Sequence, residues 1–379
     1  GGAGREGCVA VDQRRGNAFL MDAFARKKTR PLQVGSLVMG GGNPIWIQSM
    51  TNTDTRDAEA TVAQILKLEE AGCQIIRSAV FDEKAAAAVK EIVPRIHIPL
   101  VADVHFDYRL AVAAVENGVQ KLRINPGNIG GRERVRFVAD CCRAHHVPIR
   151  IGVNAGSLEK ELKARFAGDT PGAMVESAQK HIALLEEAGF YDIALSLKCS
   201  SVPVTVEAYR RMSALCRYPL HVGVTETGSG QEGLAKSAVG IGTLLMEGIG
   251  DTIRVSLTGD PVEEVYAAKR ILSACGLRRE GVEVISCPTC GRTRVDLIRH
   301  AEYVKTRLKD CKGPLKVAVM GCAVNGPGEA SDADMGIAFG QNNGVLFVKG
   351  KKLCAGPVEQ MVEKLITLAR EAGEKAQEN

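Results

Sequence analysis

Cys287 and Cys290 stand two residues apart in "SCPTCGRTR", and Cys322 follows an apolar run in "VAVMGCAVNGPGE", at the head of a Gly- and Pro-rich turn. Such turns let backbone amides approach a metal or sulfide closely. A CxxC with one distant cysteine fits three chemistries: structural zinc, an iron-sulfur cluster and a redox dithiol. Spacing does not choose among them. The dithiol lacks a thioredoxin-like context, and zinc would want a second close pair that Cys311, Cys354 and His300 do not form. A cluster with three cysteines and a non-sulfur fourth ligand fits better. Glu329, seven residues past Cys322, is the nearest carboxylate, although by itself it reads as a solvated loop acid. An oxygen ligand there would leave one iron able to exchange it for substrate.

A second set of polar residues recurs at the ends of short apolar runs. It comprises Arg56, Arg77, Asp103 and His105, Arg123 and Asn125, Arg150 and Asn154, Lys198, Thr225 and Glu226, and Arg254 and Ser256. An arginine inside an apolar strand is costly to bury without an anionic partner. Several at one site suggest a multiply anionic ligand, most simply a diphosphate, which guanidinium forks bind bidentately. Taken singly, Arg77 reads as half of a structural ion pair, while Asp103 and His105 read equally as ligands or as strand-end hydrogen-bonding groups.

The elements that must position these residues repeat from residue 45 onward: a β-rich run, a polar residue or two, then an amphipathic helical stretch. The runs are "IWIQSM", "QIIRSAV", "PLVADVH", "KLRINP", "PIRIGVN", "DIALSLKC", "PLHVGVTET" and "DTIRVSLTG". Eight such units in strict alternation predict a parallel TIM-type (β/α)8 barrel, whose chemistry sits at the carboxyl ends of the strands. An open doubly wound sheet is the competing architecture. After "ILSACG" the alternation stops, and a small α+β unit follows with strands at "VEVISC", "LKVAVMGC", "MGIAFG" and "GVLFVKG". The expected organisation is a leader over 1–30, a barrel over 31–278 and a cluster domain over 282–379. The leader is Gly- and Arg-rich, with Met21 a candidate natural start, and its first twenty or so residues are expected to be disordered or foreign to the natural protein.

The 379 residues carry 49 basic against 44 acidic side chains, and the excess of +5 is spread along the chain. That argues against a nucleic-acid or membrane patch. No apolar run approaches the roughly 18 residues of a membrane span, and the chain starts without a signal peptide's pattern, so a cytosolic protein is expected. Twelve cysteines scattered over a chain this long read mostly as thiols in a reducing compartment. Aromatic content of 4% offers no stacking platform for a flavin.

"IQSMTNTDT", "LRINPGNIG", "IRIGVNAGSL", "SLKCS", "VTETG", "IRVSLTGDP", "SCPTCGRT" and "MGCAVNGPGEASDADMGIA", in this order, closely resemble the bacterial 4-hydroxy-3-methylbut-2-enyl diphosphate synthases of the non-mevalonate isoprenoid pathway. The resemblance covers about residues 30 to 370. It implies a TIM-like barrel followed by a small domain with a [4Fe-4S] cluster, held by Cys287, Cys290, Cys322 and Glu329. It further implies that Arg123, Arg150, Asn154, Lys198, Arg254 and Ser256 grip a diphosphate, with Arg56 and Thr225 beside them, and that Glu226 faces the reacting carbon skeleton. The implied reaction is reductive opening of 2-C-methyl-D-erythritol 2,4-cyclodiphosphate with loss of water. Electrons arrive one at a time from ferredoxin or flavodoxin. The family is a head-to-tail homodimer in which each barrel is closed by its partner's cluster domain. Two other readings compete with this one. The first is a redox-inactive barrel aldolase or transferase with a structural zinc domain, in which Lys198 would form a Schiff base. The second is a non-catalytic iron-sulfur carrier, which would need no pocket of arginines.

Overall fold

The computed structural model describes residues 25–278, 280–311, 313–322 and 332–375. They form two compact units that divide between Cys275 and Gly276.

In the first unit, strands alternate with helices as the apolar periodicity demands. After a short antiparallel hairpin, β1 (Leu32–Val34) and β2 (Leu37–Met39), the order is β3 (Trp46–Met50), α1 (Ala58–Ala71), β4 (Ile75–Ala79), α2 (Glu83–Ile92), β5 (Leu100–Asp103), α3 (Tyr108–Glu116), β6 (Lys121–Ile124) and α4 (Arg132–Ala144). It continues with β7 (Ile149–Asn154), α5 (Lys160–Arg165), α6 (Thr170–Glu187), β8 (Ile193–Lys198), α7 (Val202–Leu215), β9 (His221–Val222), α8 (Gly230–Met246), β10 (Thr252–Ile253) and α9 (Pro261–Ala274). All eight expected barrel strands are present and parallel, in the order β8-β7-β6-β5-β4-β3-β10-β9. A parallel bridge between Leu195 and Leu220 links β8 to the β9 side. The barrel therefore closes, and the open-sheet alternative is excluded.

One face of each strand turns apolar residues such as Ile76, Leu122, Ile151 and Leu197 toward Val62, Ile65 and Leu68 and their counterparts on the helices. That outer layer is the main core, and it leaves the inner positions free to be polar. Aspartates Asp57, Asp82, Asp107, Asp169 and Asp260 cap helices by accepting from backbone N–H groups in the first turn.

The hairpin, which sequence periodicity does not reveal, packs across the amino-terminal end of the barrel. Leu32, Val34 and Met39 meet Ala194 and Trp46 there, and the Trp46 indole donates to the Val38 carbonyl at 2.7 Å. Residues 25–30, counted with the leader in the sequence, are instead tied to the same unit. Arg26 pairs with Asp251 at 3.1 Å, the Thr29 hydroxyl donates to it at 3.0 Å, and Lys27 N donates to Gly248 O at 3.0 Å. The rest of the leader, Met21 included, lies outside the described residues.

The second unit is a five-stranded sheet, β11 (Val282–Ser286), β12 (Leu315–Met320), β13 (Met335–Phe339), β14 (Asn343–Val348) and β15 (Lys351–Pro357), with helices α10 (Leu297–Arg307) and α11 (Val358–Lys375). β11, β12 and β13 are parallel, and β13, β14 and β15 antiparallel. Val317, Val319, Ile337 and Phe339 pack on one face against Val304, Leu365 and Ile366 of the helices. β15 is absent from the sequence expectation, because "KKLCAGP" has an edge strand's charge and exposure rather than a core strand's alternation.

Candidate functional site

Neighbouring strands in parallel register bring their polar residues together. Asp103 on β5 stands opposite Arg123 on β6, Arg123 opposite Arg150 on β7, and Asn154 opposite Lys198 on β8. With Arg77, His105, Ser196, Thr225 and Arg254 they line a cavity of about 230 Å³ at the carboxyl ends of the strands. Five cationic side chains thus face one chamber, and Asp103 is the one carboxylate on its wall among the described residues.

Asp103 binds two of the five. Arg123 Nη1 donates to Asp103 Oδ1 at 3.0 Å, and Arg77 Nε lies 3.6 Å from Oδ2. Burial pushes the Asp103 carboxyl upward, but Arg77, Arg123 and Arg150 outweigh it and hold the group below its ordinary range. His105, at the cavity rim, has Nδ1 at 2.9 Å from Arg123 Nη1.

Arg150 is almost wholly buried. Its Nη1 donates to Ser196 Oγ, while Nε and Nη2 have no partner, and Arg123 Nε is likewise unpartnered. Lys198 is buried and lies in no ion pair among the described residues. Burial first, then the like charges of Arg254, Arg150 and Arg77, lower its ammonium pKa well below the ordinary value. Unpaired buried donors of one sign are expensive to keep, and an anionic ligand that accepts from them removes the expense. Two glycines make room for these head groups. A Cβ at Gly152 would stand 2.6 Å from Arg123 Nε, and one at Gly223 would stand 2.9 Å from Lys198 Nζ.

Of the residues singled out in the sequence, the cavity unites Arg77, Asp103, His105, Arg123, Arg150, Asn154, Lys198, Thr225 and Arg254. Arg56 is not brought in: it is half-exposed, its guanidinium binds Asp54 at 2.6 Å and Asp82 at 3.4 Å, and it stacks 5.0 Å from the Phe81 ring centre. Ser256 is half-buried outside the lining, and its carbonyl accepts the Thr227 hydroxyl. Glu226 is exposed in the loop after β9 with φ +55°, a left-handed conformation that costs a non-glycine residue of order 1 kcal/mol. Its neighbours hold it there, since Thr225 N donates to Cys199 O and Thr227 to Ser256 O.

Sequence reasoning missed Ser196 and left Arg77 between an ion pair and a ligand. Arg77 does form the ion pair expected of it and still lines the cavity. Ser196 sits two residues before Lys198 on β8, and that period was the available signal.

In the second unit, β11 and β12 end side by side, with Ser286 opposite Val319. Cys287 and Cys322 therefore leave the sheet at the same end. Gly321 N donates to Cys287 Sγ at 3.2 Å, and the thiols of Cys287, Cys290 and Cys322 are all free. The Arg292 backbone N–H, with help from Thr293 and the Arg292 guanidinium, holds the exposed Cys290 thiol below its ordinary pKa. Cys287 and Cys322 just past neighbouring strand ends, with Cys290 three residues beyond Cys287 and an N–H···S bond to Cys287, are of the donor type that ligates iron-sulfur or zinc. Among the described residues no three His, Cys, Asp or Glu side chains stand in the geometry that binds a single metal ion. Glu329 lies outside the described residues.

Comparison with known proteins adds independent findings. Residues 29–269 match the GcpE TIM-barrel domain, and residues 283–371 match the GcpE protein C-terminal domain. The chain is 60% identical over 341 residues to a 4-hydroxy-3-methylbut-2-en-1-yl diphosphate synthase (flavodoxin) of Caldanaerobacter subterraneus, covering 90% of this chain and 96% of that protein. It is 57% identical to the protein of the same name from Clostridium perfringens, covering 90% and 98%, and 56% identical to that from Geobacillus kaustophilus, covering 90% and 91%. Among solved structures, dihydropteroate synthase from Stenotrophomonas maltophilia aligns at TM-score 0.48 and 15% identity, over 65% of this chain and 98% of that one.

Proposed function

We propose, from the premise that this chain belongs to the GcpE family, that its barrel mouth grips the diphosphate of 2-C-methyl-D-erythritol 2,4-cyclodiphosphate while its small unit carries a [4Fe-4S] cluster on Cys287, Cys290, Cys322 and Glu329. The enzyme is an oxidoreductase of isoprenoid biosynthesis that opens this ring reductively, with loss of water, to 4-hydroxy-3-methylbut-2-enyl diphosphate. The family sets aside the zinc-bearing aldolase or transferase. The observation that carries the assignment of the cavity is the set of five buried or half-buried cations against one wall carboxylate.

The cluster, when bound, supplies electrons one at a time. The chain's own residues do the rest. Arg123, Arg150, Arg254 and Lys198 bind the diphosphate, with Asn154 and Thr225 as uncharged donors, while Arg56 and Ser256, outside the lining of the ligand-free cavity, are proposed to join them only once substrate is bound. Ring opening breaks a carbon-oxygen bond and leaves the negative charge on a phosphate oxygen. The cations stabilise that charge where it develops. The unpartnered Nε and Nη2 of Arg150 are donors already in place for it. Glu226 donates the proton that the departing hydroxyl needs to leave as water, or positions that oxygen.

Flavodoxin, named with the relatives, is the proposed donor here, with ferredoxin as its substitute. Among the described residues no helix is long and apolar enough to cross a membrane, and we assign the enzyme to the cytoplasm. We also assign a head-to-tail homodimer. The exposed Phe81 and Phe106, on the loops after β4 and β5, give the barrel's rim an apolar surface for a partner. Sedimentation at working concentration should find two chains per particle, and a monomer would overturn this assignment.

The test of the function is metal and sulfide content of protein purified without oxygen, followed by turnover of the cyclodiphosphate with reduced flavodoxin. About four irons and four sulfides per chain, and product that carries the diphosphate, are expected. One zinc with no sulfide, unchanged by reconstitution with iron and sulfide, would end the redox assignment.

A further inference from the structure

Glu264 belongs to none of the motifs above. It lies in the first turns of α9, is buried, and its carboxylate reaches the seam between the first and last barrel strands. Ser49 Oγ on β3 donates to Oε2 at 3.1 Å, and Leu257 N, past β10, donates to Oε1 at 3.0 Å. Arg254 presents Nε and Nη2 to the two oxygens, each at 3.4 Å. β3 and β10 are the first and last barrel strands, and only Thr252 with Trp46 and Ile253 with Ile47 pair between them. Toward the mouth the ladder stops, and this carboxylate joins both strands to the arginine that lines the cavity.

We propose that Glu264 is a positioning residue for diphosphate binding: it fixes two nitrogens of Arg254 so that the remaining edge of the guanidinium stays on the cavity. This rests on the reading of the cavity as the diphosphate site. Among the described residues, Glu264 is the carboxylate paired with Arg254, and the Met50 thioether lies 3.8 Å from its Nη1. Lys198, Arg77 and Arg150 surround the same chamber, so an untethered Arg254 would be driven outward by like charge. A bidentate grip on phosphate needs the fork at a fixed angle, which the tether provides. The same carboxylate also opposes an anionic ligand through space. The two effects have opposite signs, and the proposal states that position outweighs charge.

The experiment uses the cluster-loaded enzyme and compares wild type with Glu264→Gln, Arg254→Ala and the double variant. It measures KM and kcat for the cyclodiphosphate and the Kd of inorganic diphosphate. Gln keeps one oxygen to accept from Leu257 N and an amide that can donate to the Ser49 hydroxyl, but it cannot accept from both guanidinium nitrogens. Glu264→Gln should raise KM and Kd about tenfold and change kcat less than about threefold. Added to Arg254→Ala it should bring no further loss, and binding should stay level or tighten as the opposing charge is removed, as expected of a residue whose favourable effect acts through another. Binding in Glu264→Gln that is unchanged or tighter, or a further loss in the double variant, overturns the proposal. If Arg254→Ala itself binds like wild type, the cavity reading has failed instead. Should Glu264→Gln not fold, Arg254→Lys keeps the charge without the fork. A loss of about tenfold there supports position over charge, and wild-type binding refutes it.

Discussion

The barrel mouth and the cysteine end of the small unit both put their chemistry at the carboxyl ends of parallel strands, but they are held in different ways. In the barrel, Arg123, Arg150 and Lys198 rise from the strands themselves and are locked by burial and by Asp103. In the small unit, Cys287, Cys290 and Cys322 lie just beyond strand ends, and Cys290 is exposed. The first is a binding site built before its ligand arrives, and the ordering of its donors is met in folding. The second is a donor set whose final geometry belongs to the group it takes up. Binding should therefore survive loss of the cluster, and cluster assembly should survive loss of binding.

Cys290→Ser tests the first half and has the largest effect. Iron and sulfide should fall away and turnover drop by about 10³-fold or more, while inorganic diphosphate binds as before. Loss of diphosphate binding in that variant would break the separation. Glu226→Gln should come next, with about 10²-fold slower turnover at normal iron and sulfide content. Near-normal turnover would remove this residue from the mechanism.

Arg150→Met sharpens the cost of building the barrel site in advance. Substrate affinity should fall by tens of fold, yet the ligand-free protein should melt higher, because a buried arginine with two unpartnered nitrogens is replaced by apolar volume at a gain of about 1–4 kcal/mol. A lower melting temperature would show Arg150 to be structural. The smallest effect is on pH dependence. The folded-state pKa of Lys198 is depressed, so the group costs stability in full below the folded pKa, and that cost fades as pH rises from there to the ordinary lysine pKa of the unfolded chain. A bound diphosphate favours the ammonium, so binding should take up protons and weaken several-fold toward alkaline pH. Calorimetry in buffers of different ionisation enthalpy measures that uptake, and Lys198→Met should abolish it.

The barrel was legible because its outward strand faces are nearly pure Val, Ile and Leu, and its inner cations recur with a strand's period of two. β9 and β10 were read as longer runs. Each shrinks to two residues, since "GVTETG" and "RVSLTG" turn early into the loops that carry Glu226 and Ser256. The β1–β2 hairpin escaped because three-residue strands around Gly35 leave no period to count. Arg77 was ambiguous for a physical reason: an ion pair and a ligand require the same side chain, and here it serves both. Glu264 was illegible because an acid in the first turns of a helix is ordinarily accounted for by the helix dipole. Nothing in "DPVEEVYAAK" distinguishes the glutamate that reaches across the seam.

The hairpin under the barrel has one more implication. Val34 and Met39 are buried beneath the barrel and the Lys121 amine is buried 3.5 Å from the Met39 sulfur, so this end of the barrel is filled by side chains. Substrate and product both carry a diphosphate, so they call on the same cations at the mouth, and one must leave before the next is held. The product, which keeps the diphosphate, should then obstruct turnover strictly in competition with the substrate.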